Sequence, residues 1–138
     1  MLIGIDGSDE SIRAAKRVIE IQKDFGGEVV AFHSVLHNVP KESQEIDSDS
    51  SNGDKANTGN EIFKRVEELF KEANLSVETR VILNIRPVEY IKKAVEEEEF
   101  NLVVLGSKGK HKKIRRALLG SIPSKVTNSV LCDVLVVR

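Results

Sequence analysis

Short apolar runs alternate along this chain with segments in which apolar residues return every three or four positions. Leu2-Ile3-Gly4-Ile5 is the first run, and Asp6-Gly7-Ser8-Asp9-Glu10 follows it with turn and helix-start residues, the signature of a strand passing into a helix. Ile12, Ala15, Val18, Ile19, Gln22 and Phe25 then recur at helical spacing, and Gly26-Gly27 ends the helix. The stretch from Glu28 to Val35 is almost continuously apolar, as expected of a strand covered on both faces. Ile62, Val66, Leu69, Phe70 and Ala73 form a second helical stripe, and Val77 to Leu83 alternates like a strand. Pro87 suits the first turn of a third helix with Val88, Ile91, Ala94 and Val95 inward, closed by the Glu96–Glu99 run. Those four acids oppose the helix dipole, which makes solubility their expected role. Leu102–Leu105 and Val134–Val137 read as buried strands, with a fourth helix opening at Ser121-Ile122-Pro123 and carrying Val126 and Val130.

The order β-α-β-α-β-α-β-α-β predicts an α/β fold. Parallel neighbours need crossovers, the crossovers are right-handed in nearly all cases, and they place helices on both faces of one sheet. A sheet of this kind binds ligands beyond the carboxyl ends of its strands, where the strand order reverses. The residues just after the strands are therefore the candidates: Asp6-Gly7-Ser8, Ser34-Val35 and Gly106 onward.

Between about 37 and 60 the pattern lapses into Ser, Asp, Asn, Gly, Lys and Glu, with almost nothing to bury, and the expectation is a mobile polar loop inside one domain spanning 1–138. With 138 residues, one hydrophobic core suffices. Lys and Arg number 21 against 22 for Asp and Glu, so no global field draws the chain to nucleic acid or an anionic surface. No apolar run approaches the roughly 20 residues needed to span a bilayer, and no basic segment precedes the first run; the expectation is a cytoplasmic protein with no membrane partner. Cys132 is the sole cysteine, which excludes an internal disulfide and reads as a buried, inert thiol.

Candidate chemistry gathers near 106–121. Gly106 and Gly109 follow a buried strand and Gly120 precedes a helix, and each removes a side chain where a backbone could approach a ligand. The N–H groups of Ser121 and Ile122, with Ser121 as N-cap or phosphate donor, would form an anion site at the helix start. Lys108, Lys110, His111, Lys112, Lys113, Arg115 and Arg116 lie between the glycines; they read either as a solvated loop or as attraction for phosphate. Walker-type and Gly-x-Gly-x-x-Gly loops are absent. Asp6, at the end of a buried strand, has two readings: acceptor for a ribose hydroxyl or adenine amino group, or cap of its own turn through Ser8 or Asp9. His33 within a strand reads as a satisfied core histidine, while His37 and His111 stand in loops with no spaced acidic or Cys partner.

Asp6-Gly7-Ser8, Leu-Gly-Ser-Lys-Gly at 105–109, Leu-Leu-Gly-Ser at 118–121 and Val-Leu-Val-Val at 134–137 together resemble the universal stress protein family over nearly the whole chain. The resemblance implies a three-layer, doubly wound five-stranded sheet of order 3-2-1-4-5. It also implies a sensor or regulator that binds ATP or AMP, with Mg²⁺ a possible companion held through the phosphates. Gly106, Gly109, Gly120 and Ser121 would hold phosphates and ribose, and Asp6 with the backbone near Ser34 the adenine end; a homodimer would form through the last strand. The family's Gly-x2-Gly-x9-Gly-(Ser/Thr) differs here in one respect, for ten residues separate Gly109 from Gly120. That spacing favours a second reading, an interaction module that uses the basic 108–116 loop. No positioned base or metal-held water is evident, so catalysis is not expected beyond slow ATP hydrolysis. Nucleic-acid binding is disfavoured because residues 101–138 contain no aromatic side chain for stacking.

Overall fold

The computed structural model describes residues 1–36, 52–108 and 119–138. Five strands and four helices alternate: β1 (Leu2–Gly4), α1 (Asp9–Phe25), β2 (Val30–Val35), α2 (Asn52–Glu72), β3 (Glu78–Leu83), α3 (Pro87–Glu98), β4 (Leu102–Gly106), α4 (Ser121–Thr127) and β5 (Asp133–Val137). All strand pairs are parallel and the sheet order is β3-β2-β1-β4-β5, as the alternating pattern and the resemblance predict.

Side-chain alternation along the central strands divides the interior in two. Ile3, Ala31 and Val104 face α1 and α2, joining Ile12, Val18, Phe63, Val66 and Phe70. Leu2, Val30, Phe32, Val103 and Leu105 face α3 and α4, joining Tyr90, Ile91, Ala94 and Val126. A strand buried on both faces is apolar along its covered length, which is why β1 and β4 read as apolar runs and β2 is interrupted only at the half-buried His33 and Ser34.

Helix α1 starts where the sequence signals it. Ser8 is the N-cap and its hydroxyl accepts from the Ser11 N–H at 3.1 Å, with Asp9 and Glu10 in the first turn. Phe25, expected on the inner face, is instead 86 % exposed. It is the last residue of α1, beside the Gly26 C-cap, and the inner face of the helix is already closed by Gln22, whose Nε2 donates to Gly27 O at 2.9 Å.

The polar segment near 37–60 departs from expectation at its C-terminal end. Residues 37–51, with His37, lie outside the described residues, but α2 begins at Asn52, so 52–60 is helical rather than loop. A helix extends from a packed nucleus at little cost per residue, and a segment without apolar residues at helical spacing leaves no periodic trace in the sequence. Phe63, Val66 and Phe70 are the buried anchors.

At the β3 edge Arg80 contacts both oxygens of Glu98 at 2.7 and 2.8 Å and Glu78 at 2.6 Å. These bonds raise the guanidinium's pKa further, and the Arg80 hydrogen bond holds the Glu78 carboxyl below its ordinary range. A charged side chain tied to α3 on an outer strand discourages further strand pairing there. No helix among the described residues is long and apolar enough to cross a membrane.

Candidate functional site

A parallel sheet points every strand's carboxyl end, and every following helix's N-terminus, to one edge. The strand order reverses between β1, which pairs with β2 on one side and β4 on the other. A crevice opens at that edge, of about 550 Å³ including its mouth, lined by Ile5, Asp6, Phe32, Ser34, Pro87, Leu105, Gly106, Lys108, Ile122 and Pro123 among others. Of the residues singled out from the sequence, Asp6, Ser34, Gly106 and Ile122 meet here. Gly120 and Ser121 do not line the crevice but build its α4 side. Gly109 lies outside the described residues, as do the basic positions from Lys110 to Arg116; Lys108 alone of that run is placed.

Asp6 follows β1 in a turn that Gly7 makes at φ 78°, a left-handed conformation that glycine adopts without penalty. Its Oδ1 accepts from the Ser8 N–H at 3.0 Å and the Ser8 hydroxyl at 2.5 Å. The turn-capping reading is thus realised, and Asp6 lines the crevice.

Ser34 and Phe32 share a face of β2, two residues apart, and both reach the α3 side. The Ser34 hydroxyl donates to Ile85 O at 2.5 Å. Phe32 packs on Tyr90 with ring centroids 4.8 Å apart. His33 points the other way, edge-on to Phe63 of α2 at 6.4 Å. Its Nδ1 lies 2.7 Å from Ile5 O; a carbonyl only accepts, so Nδ1 carries the proton. This is the satisfied histidine expected from the sequence.

Gly106 behaves differently from its sequence reading. A Cβ there would stand 2.9 Å from Glu10 C and Ser11 N, both backbone atoms of α1. Its missing side chain therefore serves the approach of α1 to β4, whatever ligand the crevice takes. The next residue closes the edge: the Ser107 N–H donates to Val137 O at 2.7 Å, and Ser107 O accepts from the Gly120 N–H at 2.6 Å. Gly120, extended at φ −70° and ψ 168°, is the N-cap of α4 and has no side-chain cap bond. The expectation of Ser121 as N-cap is corrected: the Gly120 carbonyl already accepts from the Ser124 N–H at 3.2 Å, so Ser121 is the first helical residue.

The electrostatics are asymmetric. Helix α1 brings Asp9 and Glu10 to its first turn, whereas α4 has no acid in its own. Within the crevice Asp6 stands on the β1 side, and the Lys108 ammonium is carried by the β4 end. The remaining walls, from Ile5, Phe32, Pro87, Leu105, Ile122 and Pro123, are apolar. Sequence reasoning missed Phe32, Pro87 and Leu105 as walls. The parity of β2 was an available signal, since it places Phe32 on the face of Ser34. No cluster of three potential metal ligands occurs among the described residues.

Comparison with known proteins agrees with this architecture. The family model of the Universal stress protein family matches residues 1–138. Universal stress protein MJ0531 of Methanocaldococcus jannaschii is 33 % identical over 143 residues, covering 100 % of this chain and 81 % of that protein. Among solved structures, universal stress protein UspA from Lactobacillus plantarum superposes with a TM-score of 0.79 at 19 % identity, covering 99 % of this chain and 95 % of that one. A universal stress protein in complex with cAMP superposes with a TM-score of 0.72 at 25 % identity, covering 99 % and 94 %. The universal stress protein from Archaeoglobus fulgidus in complex with dAMP has a TM-score of 0.72 at 16 % identity, covering 99 % and 95 %, a likeness of fold.

Proposed function

The chain belongs to the universal stress protein family, and from that premise we propose that it binds an adenine nucleotide, ATP or AMP, in the crevice between β1 and β4 and acts as a nucleotide-responsive regulator. The observation that carries this reading is the convergence of Asp6, Ser34, Gly106 and Ile122 on one apolar-walled crevice with a carboxylate on one side and an ammonium on the other. An adenine nucleotide has the matching polarity. Its base is planar and apolar-faced, its amino and ribose hydroxyl groups donate to carboxylates, and its phosphate is anionic. The cAMP and dAMP complexes of relatives in the same fold support the ligand class.

In this reading the base lies among Phe32, Pro87 and Ile122, with Asp6 and the backbone near Ser34 at its polar edge. The phosphate lies toward Lys108, Gly106 and the Gly120–Ile122 segment. Mg²⁺ accompanying ATP would be held chiefly by phosphate oxygens, with Asp6 as the carboxylate available from the crevice. The test is a thermal melt with AMP, ATP and GTP. A ligand at 100 times its dissociation constant adds about 2.7 kcal/mol to stability, so AMP or ATP is expected to raise the melting temperature and GTP to raise it less. No shift at millimolar AMP and ATP overturns the reading and leaves the interaction module in its place.

Homodimer formation belongs to the same proposal. Strand β5 is an outer strand whose Val134, Leu135, Val136 and Val137 are only partly buried, and an apolar edge of this kind is a pairing surface. Sedimentation at micromolar concentration is expected to give twice the 15.3 kDa chain mass. Val136→Lys is expected to return it to one; a wild-type monomer would remove this part.

A further inference from the structure

The crevice wall at Pro87 begins a helix that has no side-chain cap. Pro87 is the first residue of α3, yet the N-cap, Arg86, makes no side-chain cap bond. The turn that delivers Pro87 leaves β3 through Asn84, left-handed at φ 59°, and passes through Ile85 and Arg86, both exposed. Hydrogen bonds from β2 hold this turn at two points. The Asn84 N–H donates to Val35 O at 2.9 Å, and the Ser34 hydroxyl donates to Ile85 O at 2.5 Å. The second is a side-chain bond to the carbonyl two residues before Pro87, and its donor, Ser34, itself lines the crevice.

We propose that Ser34 is a positioning residue: its hydroxyl, by donating to Ile85 O, sets the separation of the Pro87 wall from the Ile122–Pro123 wall and thereby how closely the crevice fits a planar base. A hydroxyl has one proton. With that proton on Ile85 O, Ser34 gives the ligand no side-chain donor, so its contribution to binding comes through the wall it holds. Alanine removes the bond and leaves Ile85 O to water, while threonine keeps the hydroxyl and suits a strand. The part of this proposal that concerns base fit rests on the nucleotide reading above; the clamp itself does not.

Two measurements on the full chain separate these parts. Amide hydrogen exchange over 84–90 in the free protein is expected to quicken about fivefold in Ser34→Ala, the ratio for one neutral hydrogen bond of about 1 kcal/mol, with exchange in β1 unchanged. Ser34→Thr is expected to match wild type. Calorimetric titration with AMP and with the bulkier 1,N6-etheno-AMP then reads the fit: Ser34→Ala is expected to lower the preference for AMP over the etheno base about fivefold, and Ser34→Thr to restore it. Equal exchange over 84–90 in Ser34→Ala and wild type overturns the clamp. Faster exchange with an unaltered preference overturns the positioning role. If wild-type protein binds neither nucleotide, the nucleotide reading fails, the positioning role falls with it, and exchange alone decides the clamp.

Discussion

Phe70→Ala is expected to lower unfolding stability by about 3–5 kcal/mol, a large share of the roughly 5–15 kcal/mol that holds a domain of this kind together. Phe70 is 1 % exposed and packs in the cluster that α1 and α2 form on one face of the sheet. It also stands where α2 ends: its carbonyl accepts from the Ala73 N–H at 3.1 Å and the Leu75 N–H at 2.9 Å. Truncation leaves a cavity beside α2, whose remaining anchors, Val66 and Phe63, lie one and two turns back. Full collapse onto it would drag the α2 end and the path into β3 with it, so the upper part of the range is expected. Equilibrium urea unfolding checks this: the midpoint should fall with the slope unchanged. A loss under 1 kcal/mol would mean that α2 repacks freely and is not a rigid member of that layer.

The same residue shows why most of the fold was legible in the sequence. Ile62, Val66, Leu69, Phe70 and Ala73 announce α2 because a helix over a sheet must repeat its apolar contacts every three to four residues. Strands β1, β2 and β4 announce themselves because both their faces are covered. Periodicity reports burial, however, and where burial stops the signal stops. Residues 52–60 are helical, but their sequence carries no apolar residues at helical spacing, so it resembles loop. Phe25 continues the stripe of α1 by spacing, but sits at its last turn and faces solvent. Phe25 lies at the far end of α1 from the site, whereas the start of α2 comes to the site's edge, where a Cβ on Gly59 would stand 3.5 Å from the His33 ring.

The site was legible in a different measure. Asp6, Ser34, Gly106 and Ile122 are recoverable from chain order alone, because a doubly wound parallel sheet brings its strand ends to one edge. Pro87 and Leu105 were not recognised as walls, since that depends on how α3 and α4 settle against the sheet, which is decided by side-chain shapes such as the Phe32–Tyr90 pair. The basic run from Lys110 to Arg116 lies outside the described residues. Its part in binding therefore rests on solution measurements, and Lys108 is the cation that the crevice geometry supports.

Gly106→Ala is expected to destabilise the protein by about 3 kcal/mol, at the upper end of what one added methyl in a packed interior costs, with or without nucleotide. The added carbon would lie 2.9 Å from Glu10 C, Glu10 Cβ and Ser11 N, well inside van der Waals contact, and two of these three are backbone atoms that cannot rotate aside. Relief requires α1 to move away from β4, yet Ile12, Ala15 and Val18 of α1 also share a buried core with Ile3 of β1. Its N-terminus is tied in turn to Asp6 through Ser8, so a displaced α1 would carry Asp6 with it. The substitution thus separates two explanations of the same glycine. Were its role solely to admit a phosphate, Gly106→Ala would leave the melting temperature of the free protein unchanged and lower nucleotide affinity alone. Close packing of α1 on β4 predicts instead a drop of about 10 °C in the free protein by calorimetry, with any loss of affinity following from the shift of Asp6. A free-protein melt within a degree of wild type would contradict the packing role.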